Sequence, residues 1–291
     1  MTELAFLGTG TMGLPMARNV IKSGRFSVRV WNRTPERAQP LAEDGAEVAS
    51  DPRNAAEGCR LLVTMLSDGD AVIETAEKAL SALADDAIWI QMSTIGIKAT
   101  ERCAELASTA GVSFVDAPVL GTRDPAEQGK LIVLASGPES ARDRVAPVFD
   151  AVGSRTLWLG EAGTGSRAKV VVNGWVVGVV GVLAEVITLA EALDLDPQVF
   201  FDAIEGGSLD LPYAPLKGRM MMSHDFSAAS FKLALARKDG DLLLAAAADA
   251  GLQLPIMDAI VARMRTVENA GHGNEDMAAT YWASAPSAEN R

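Results

Sequence analysis

Between Gly163 and Leu193 the chain reads Gly-Thr-Gly-Ser-Arg-Ala-Lys-Val-Val-Val-Asn-Gly-Trp, then runs on through an apolar, alanine-rich stretch with no proline until Pro197. Ser166 stands where an N-cap belongs, its hydroxyl suited to an otherwise unpaired helix N–H. A helix from Ser166 to Leu193 would be roughly 40 Å long at about 1.5 Å per residue, which suits a wall shared by two domains better than a surface element of one. Only Lys169 and Asn173 interrupt its first apolar face, four residues apart and on one side. A bilayer span needs about 20 apolar residues with few charges. Asn173 falls inside the run, Lys169 before it, and Glu185 and Glu191 after it, so the pattern predicts a buried helix whose Lys and Asn face a site.

Upstream the pattern is different. Short apolar runs at residues 3–7, 27–31, 60–66, 88–92 and 112–116 alternate with segments of helical spacing. Near-continuous apolar strands separated by helices predict a parallel sheet buried on both faces. Two further runs, 131–135 and 156–159, are expected to complete that sheet, ending the first domain near Gly160. Beyond Gly163 no alternating strand is evident. Helical stretches dominate, broken at Gly206-Gly207 and around Leu211-Pro-Tyr-Ala-Pro215. Residues 231–251 read as one helix, with Phe231, Leu235, Lys238 and Asp239 on one side and Gly240 costing about 1 kcal/mol relative to Ala. Ser284 to Arg291 reads as a frayed end. The architecture predicted is α/β: a doubly wound Rossmann domain over residues 1–160, then an all-helical substrate and oligomerisation domain over 161–291, joined by the long interdomain helix.

Composition narrows the function classes. With 291 residues, 48% hydrophobic and 22% charged, the chain suits a soluble two-domain enzyme. Its net charge of −12 argues against a nucleic-acid or anionic-membrane partner. Cys59 and Cys103 show neither metal nor disulfide spacing, and His224 and His272 are isolated; a reduced, cytoplasmic compartment and no metal are expected.

The chemistry begins at the first strand. It leads straight into Gly8-Thr-Gly10-Thr11-Met12-Gly13 and then a helical pattern. This strand–glycine loop–helix order predicts a dinucleotide site: a tight turn at Gly8, backbone approach to a pyrophosphate at Gly10, and helix–strand packing at Gly13. An NAD site usually carries Asp or Glu after the second strand, to hold the ribose 2′-hydroxyl. Here the chain has Asn32-Arg33-Thr34, a guanidinium and a hydroxyl in place of a repelling carboxylate, which predicts NADP(H). Ligands of such sheets bind beyond the carboxyl ends of the strands. The segments there are Met65-Leu66-Ser67, Ser93-Thr94-Ile95-Gly96 and Asp116-Ala-Pro-Val-Leu-Gly-Thr122.

Taken together, Gly8-x-Gly10-x-x-Gly13, Asp116-Ala-Pro-Val-x-Gly, Gly163-x-Gly-x-x-x-Lys169-x-x-x-Asn173, Lys238-Asp239 and Gly271-His-Gly-Asn-Glu-Asp-Met277 resemble the β-hydroxyacid dehydrogenase family over essentially the whole chain. That family includes 3-hydroxyisobutyrate dehydrogenases, tartronate semialdehyde reductases and plant-type glyoxylate/succinic semialdehyde reductases. The resemblance implies that Lys169 is the catalytic proton donor and acceptor, with Asn173 holding substrate or the lysine amine. It implies that Ser93 and Thr94 serve the nicotinamide end, and that Lys238 and Asp239 close over cofactor and substrate. Leu120, Gly121, Thr122 and Phe231 then line the substrate. A helix N-terminus and burial should lower the Lys169 pKa. Two departures stand out: Leu120-Gly121-Thr122 replaces the family's Ser-Gly-Gly carboxylate clamp, and Gly240 replaces a leucine. The expected activity is hydride transfer between NADPH and a small aldehyde or keto acid (a 3-hydroxy acid in reverse), in a homo-oligomer, dimer or tetramer. The alternatives are an imine reductase, whose relatives commonly carry Asp or Tyr in the lysine slot, and a non-catalytic NADP-binding sensor module.

Overall fold

The computed structural model describes residues 1–285 and divides into two compact units, residues 1–169 and 170–291, the division falling within one long helix. Of the frayed segment expected at the C-terminus, residues 286–291 lie outside the described residues.

The first unit runs β1 (Thr2–Leu7), α1 (Gly13–Lys22), β2 (Phe26–Trp31), α2 (Pro40–Glu43), β3 (Glu47–Val48), α3 (Pro52–Ala56), β4 (Leu61–Thr64), α4 (Gly69–Ala79), β5 (Ile88–Gln91), α5 (Ile97–Thr109), β6 (Ser113–Asp116), β7 (Val119–Leu120), α6 (Arg123–Glu127), β8 (Leu131–Ala135), α7 (Arg142–Val152) and β9 (Gly153–Trp158). Six strands form one sheet in the order β3-β2-β1-β4-β5-β6, with every pairing parallel. This is the doubly wound order, and the direction of winding reverses between β1 and β4. Strand β1 shows why its run is apolar at every position. Leu4 and Phe6 pack into a cluster with Met16 and Val20, while Ala5 and Leu7 pack on the opposite face with Ala55, Val72 and Trp89.

The runs at 131–135 and 156–159 do not complete this sheet. They are β8 and β9, paired parallel to each other, and β8 also pairs antiparallel with β7 to make a separate three-stranded sheet. The cause lies just past β6: Pro118 can donate no ladder hydrogen bond, so the chain leaves the first sheet there. A single bridge, Asp116 to Ser136, links β6 to the strand end of β8.

Helix α8 spans Thr164–Ala192, 29 residues. By length and composition it could cross a bilayer, but 50% of its most apolar window is buried inside the protein, as in a core helix. Ser166 is not its N-cap. The helix starts two residues earlier, so Ser166 lies in the first turn and Lys169 in the second, beyond the strongest reach of the helix dipole.

The second unit continues with α9 (Gln198–Ile204), α10 (Ala214–Ser223), α11 (Leu233–Asp249) and α12 (Pro255–Val267). Among the described residues it holds no strand beyond an isolated Lys232–Asp276 bridge. The helix expected over 231–251 starts at Leu233 instead, because Phe231 gives its N–H to the Asp276 carboxylate and Lys232 is extended. Glycines at 174, 178 and 181 let α11 and α12 press against α8. A Cβ at these positions would lie 2.5 Å from Leu243, 3.1 Å from Met257 and 2.6 Å from Ile260. Gly240 likewise makes room for Val261, 2.5 Å from where its Cβ would be, so the missing leucine is exchanged for a closer α11–α12 approach. Beneath these helices Lys217, 2% exposed, donates to both oxygens of the fully buried Asp276 at 2.8 and 2.9 Å. The same carboxylate accepts backbone N–H groups from Ser230, Phe231 and Ala278.

Candidate active site

The carboxyl ends of β1, β2, β4, β5 and β6 bring the first unit's candidate residues to one edge of the sheet. Gly8 has φ 105°, and a side chain there would drive into the Met65 carbonyl and lie 2.8 Å from Leu66. A side chain at Gly13 would collide with the Gly8 carbonyl. These two glycines let the first turn of α1 fold back onto β1 and against the Met65-Leu66 loop. Gly10 differs. Nothing of the protein lies within 4 Å of where its Cβ would be, so space is left beside the loop backbone.

Helix α1 starts with no side-chain cap at Met12 and no acidic residue in its first turn. Thr11 is exposed beside it, and the hydroxyl of Thr9, 2% exposed, has no partner among the described residues. An uncapped helix start, an open glycine and an unused buried hydroxyl fit the phosphates of a dinucleotide.

Asn32 is a brace for this loop. Its Oδ1 accepts the Thr9 N–H at 3.0 Å and its Nδ2 donates to the Thr34 carbonyl at 2.9 Å, while Gly8 N–H bonds the Trp31 carbonyl at 2.8 Å. With its amide so used, Asn32 braces the loop, and Arg33 and Thr34 beside it are exposed. At the β4 and β5 ends, Ser93 is fully buried. Its hydroxyl accepts the Leu66 N–H at 2.8 Å, and its N–H and carbonyl are held by Gln91 at 2.7 and 2.9 Å. Ser93 therefore ties two loops together. Thr94 beside it is half-buried, Met65 and Leu66 are half-buried, and Ser67 is exposed with its hydroxyl on Asp68.

Leu120 sits on β7 opposite Ile132, half-buried. Gly121 turns the chain at φ 126°, and Thr122 precedes α6 without capping it.

In the sequence Asp116 is only one letter of a motif. In the fold it is completely buried, and it receives the start of α8: Ser166 N–H reaches Oδ2 at 2.7 Å and the Ser166 hydroxyl reaches Oδ1 at 2.8 Å. Ser136 lies 3.3 Å from Oδ2 and accepts the Gly165 N–H at 2.9 Å. The Ser166 hydroxyl also lies 2.9 Å from Thr100 Oγ1, which donates to the Gly96 carbonyl at 2.7 Å. Burial pushes the Asp116 carboxyl up to about 6, against hydrogen bonds from Ser166, Ser136 and the Gly163 backbone. The chain signal for this network is thin: Thr100 and Ser166 carry no motif of their own.

On α8, Lys169 is half-buried, and Asn173, 4% exposed, comes one turn later. Asn173 Nδ2 donates to Asp239 Oδ2 at 2.7 Å, and Lys238 lies 3.1 Å from Asp239 Oδ1. Phe231 is half-buried before α11, outside the helix that carries Lys238 and Asp239. No group of three or more His, Cys, Asp or Glu suited to a metal occurs among the described residues.

The chain is similar to known proteins over most of its length. Residues 3–160 match the NAD-binding domain of 6-phosphogluconate dehydrogenase, and residues 163–283 match the NAD-binding domain of NADP-dependent 3-hydroxyisobutyrate dehydrogenase. Glyoxylate/succinic semialdehyde reductase 2 of Arabidopsis thaliana is 33% identical over 97% of this chain and 79% of its own. The structure of Mycobacterium tuberculosis 3-hydroxyisobutyrate dehydrogenase with L-serine superimposes with a TM-score of 0.87 at 29% identity, covering 97% of this chain and 98% of that one. An imine reductase from Pseudomonas sp. shares the fold alone, with a TM-score of 0.63 at 22% identity over 97% of this chain and 99% of its own. With a glycine loop at the winding reversal, an uncapped helix start and the Lys–Asn pair on one helix, the chain belongs to the β-hydroxyacid dehydrogenase family and is an NAD(P)-dependent oxidoreductase of the 3-hydroxyisobutyrate dehydrogenase and semialdehyde reductase kind.

Proposed function

We propose that the protein is an NADPH-dependent reductase of a small aldehyde or keto acid, with Lys169 as the proton donor. The observation that carries this reading is the Lys169–Asn173 spacing on α8, with the Asn173 amide held by Asp239. When bound, the nicotinamide supplies hydride to the carbonyl carbon. As the carbonyl oxygen gains negative charge, the Lys169 ammonium donates a proton to it, giving the alcohol and a neutral amine. Donation from Nδ2 to Asp239 fixes the orientation of the Asn173 amide, and Oδ1, its acceptor atom, can receive a hydrogen bond from the lysine or from a substrate hydroxyl. In reverse the same amine takes the hydroxyl proton of a 3-hydroxy acid. Lys238, by family resemblance, serves the cofactor. The retained lysine favours carbonyl over imine reduction, and favours catalysis over a sensing role.

Arg33 supports NADP(H): it is exposed directly after β2, where a carboxylate would repel a 2′-phosphate. Leu120 supports a less polar substrate than glyoxylate or tartronate semialdehyde, since it removes one hydroxyl donor and adds an apolar branch. Two buried thiols, raised by burial to about 11 at Cys59 and about 12 at Cys103, suit a reducing cytoplasm. A homo-oligomer is supported by the exposed stripe Val171, Trp175, Val182 and Leu189 along α8, a second copy being the natural cover.

The test is Lys169→Ala, assayed for NADPH oxidation against short aldehydes, keto acids and cyclic imines. Turnover should fall by roughly 10²–10⁴, with NADPH affinity hardly changed. A variant keeping more than half the wild-type rate would rule Lys169 out.

A further inference from the structure

The Asp116 network joins the loop at the end of β5 to the start of the helix that bears Lys169. At one end Thr100, 1% exposed on α5, holds the Gly96 carbonyl that closes the Ser93–Gly96 loop. At the other, Ser166 lies in the first turn of α8, three residues before Lys169. Between them the bonds run Thr100–Ser166 at 2.9 Å and Ser166–Asp116 at 2.8 Å through the side chains and 2.7 Å from the backbone. The packing is equally tight. A Cβ on Gly165 would collide with the Leu134 carbonyl and lie 3.1 Å from the Asp116 carbonyl, so α8 can start in no other place without moving β8 or β6.

We propose that Asp116, Ser166 and Thr100 act as a positioning unit that fixes the first turns of α8, and so the place of Lys169, against the loop after β5. The inference rests on the reading of Lys169 as proton donor. Asp116 does so with no cation among its hydrogen-bonding partners: its two oxygens receive the Ser166 N–H and hydroxyl, an N-terminal anchor made by a residue 50 positions away in the chain. In Asp116→Asn one of those acceptors becomes a donor, so either the Ser166 N–H or the Ser166 hydroxyl loses its acceptor and the anchor of the helix start is loosened. A displacement near 1 Å at a proton donor costs about 10²-fold in rate.

The experiment uses the full chain with four variants: Asp116→Asn, Thr100→Val, Thr100→Ser and Lys169→Ala. Each is measured for kcat, KM, NADPH affinity and thermal midpoint, and the three that keep Lys169 also, without cofactor, for the acylation rate of its amine. Asp116→Asn should lower kcat about 10²-fold and Thr100→Val about tenfold, with KM for NADPH and its affinity within about threefold of wild type. Thr100→Ser keeps the hydroxyl and should restore most of the rate. Acylation of Lys169 should change in Asp116→Asn while that of the exposed Lys22 does not. If Asp116→Asn and Thr100→Val lower only the thermal midpoint, with kcat and Lys169 acylation unchanged, the unit merely holds the fold together and the inference is overturned. If Lys169→Ala itself stays active, the proposed role of the lysine fails instead.

Discussion

Each unit of this protein contains one completely buried aspartate that gathers several chain segments, and the two are satisfied in opposite ways. Asp276 is met by the Lys217 ammonium at 2.8 Å and by three backbone N–H groups. Among the described residues Asp116 is met only by hydroxyls and backbone N–H groups, and its carboxyl is pushed up to about 6 by burial. A cation offsets the desolvation of a carboxylate, whereas hydroxyls offset only part of it. The helical unit therefore has a charged lock, and the α/β unit has a lock whose charge changes within reach of neutral pH.

The largest effect should come from breaking the charged lock. Lys217→Met leaves Asp276 buried without its cation and should destabilise the protein by about 3–5 kcal/mol. Denaturant midpoints against wild type measure this. NADPH affinity of the folded fraction should stay within about twofold, since every glycine-loop residue lies in the other unit. A loss under about 1 kcal/mol would show that the pair is not a stability element.

The two locks also differ in how far they can be read from the chain. The parallel sheet and the glycine loop are legible because their physics is local: apolar runs of strand length, and glycines where backbones must meet. The long helix is legible for the same reason, from apolar content and the absence of proline. Strands β8 and β9 are visible as strands but fall in a different sheet from the one expected, because apolar runs name no partner. The two-residue strands β3 and β7 leave no periodic signal at all. That Ser93 ties the loops after β4 and β5 together is not legible, because a hydroxyl's partner is set by tertiary contact. The ammonium of Lys217 and the role of Asp276, 59 residues apart, follow from helix packing and from no spacing rule. Glycines 174, 178 and 181 read as ordinary members of an apolar run, yet they are what lets α11 and α12 close on α8.

The next effect is pH-dependent stability from Asp116. Its folded-state pKa, about 6, lies above the usual carboxylate value of 3.8, so the native state binds the proton more tightly than the unfolded chain. The resulting stability is fully present below the unfolded value and is lost as pH rises through about 6. A rise from 3.8 to about 6 corresponds to at most about 3 kcal/mol. The groups facing Asp116 are Thr100 and Cys103 of α5, Ser136 beyond β8, and Gly163, Gly165 and Ser166 at the start of α8. Of these only Cys103 titrates, at about 12, so the window belongs to Asp116. Denaturation from pH 4 to pH 8 should show this decline in wild type. In Asp116→Asn the same component should be missing, and an unchanged slope would assign it elsewhere.

The smallest effect separates the locks most finely, because each carries one serine. Ser230 sits between Lys217, 3.0 Å away, and Asp276, 3.1 Å away. Ser230→Ala removes that hydroxyl, but the carboxylate keeps its cation and its three N–H donors, so about 0.5–1 kcal/mol is expected. Ser136 accepts the Gly165 N–H at 2.9 Å and lies 3.3 Å from Asp116. In Ser136→Ala a buried N–H loses its acceptor. The cost should therefore be larger, about 1–3 kcal/mol. The same substitution removes one of the bonds that hold the Asp116 pKa down. The pH window of stability should then widen upward: the loss still begins near the unfolded value but continues to higher pH than in wild type. Ser230→Ala should leave that window where it is. Equal costs for the two variants, with no movement of the window in Ser136→Ala, would mean that the absence of a cation beside Asp116 makes no difference to how its lock works.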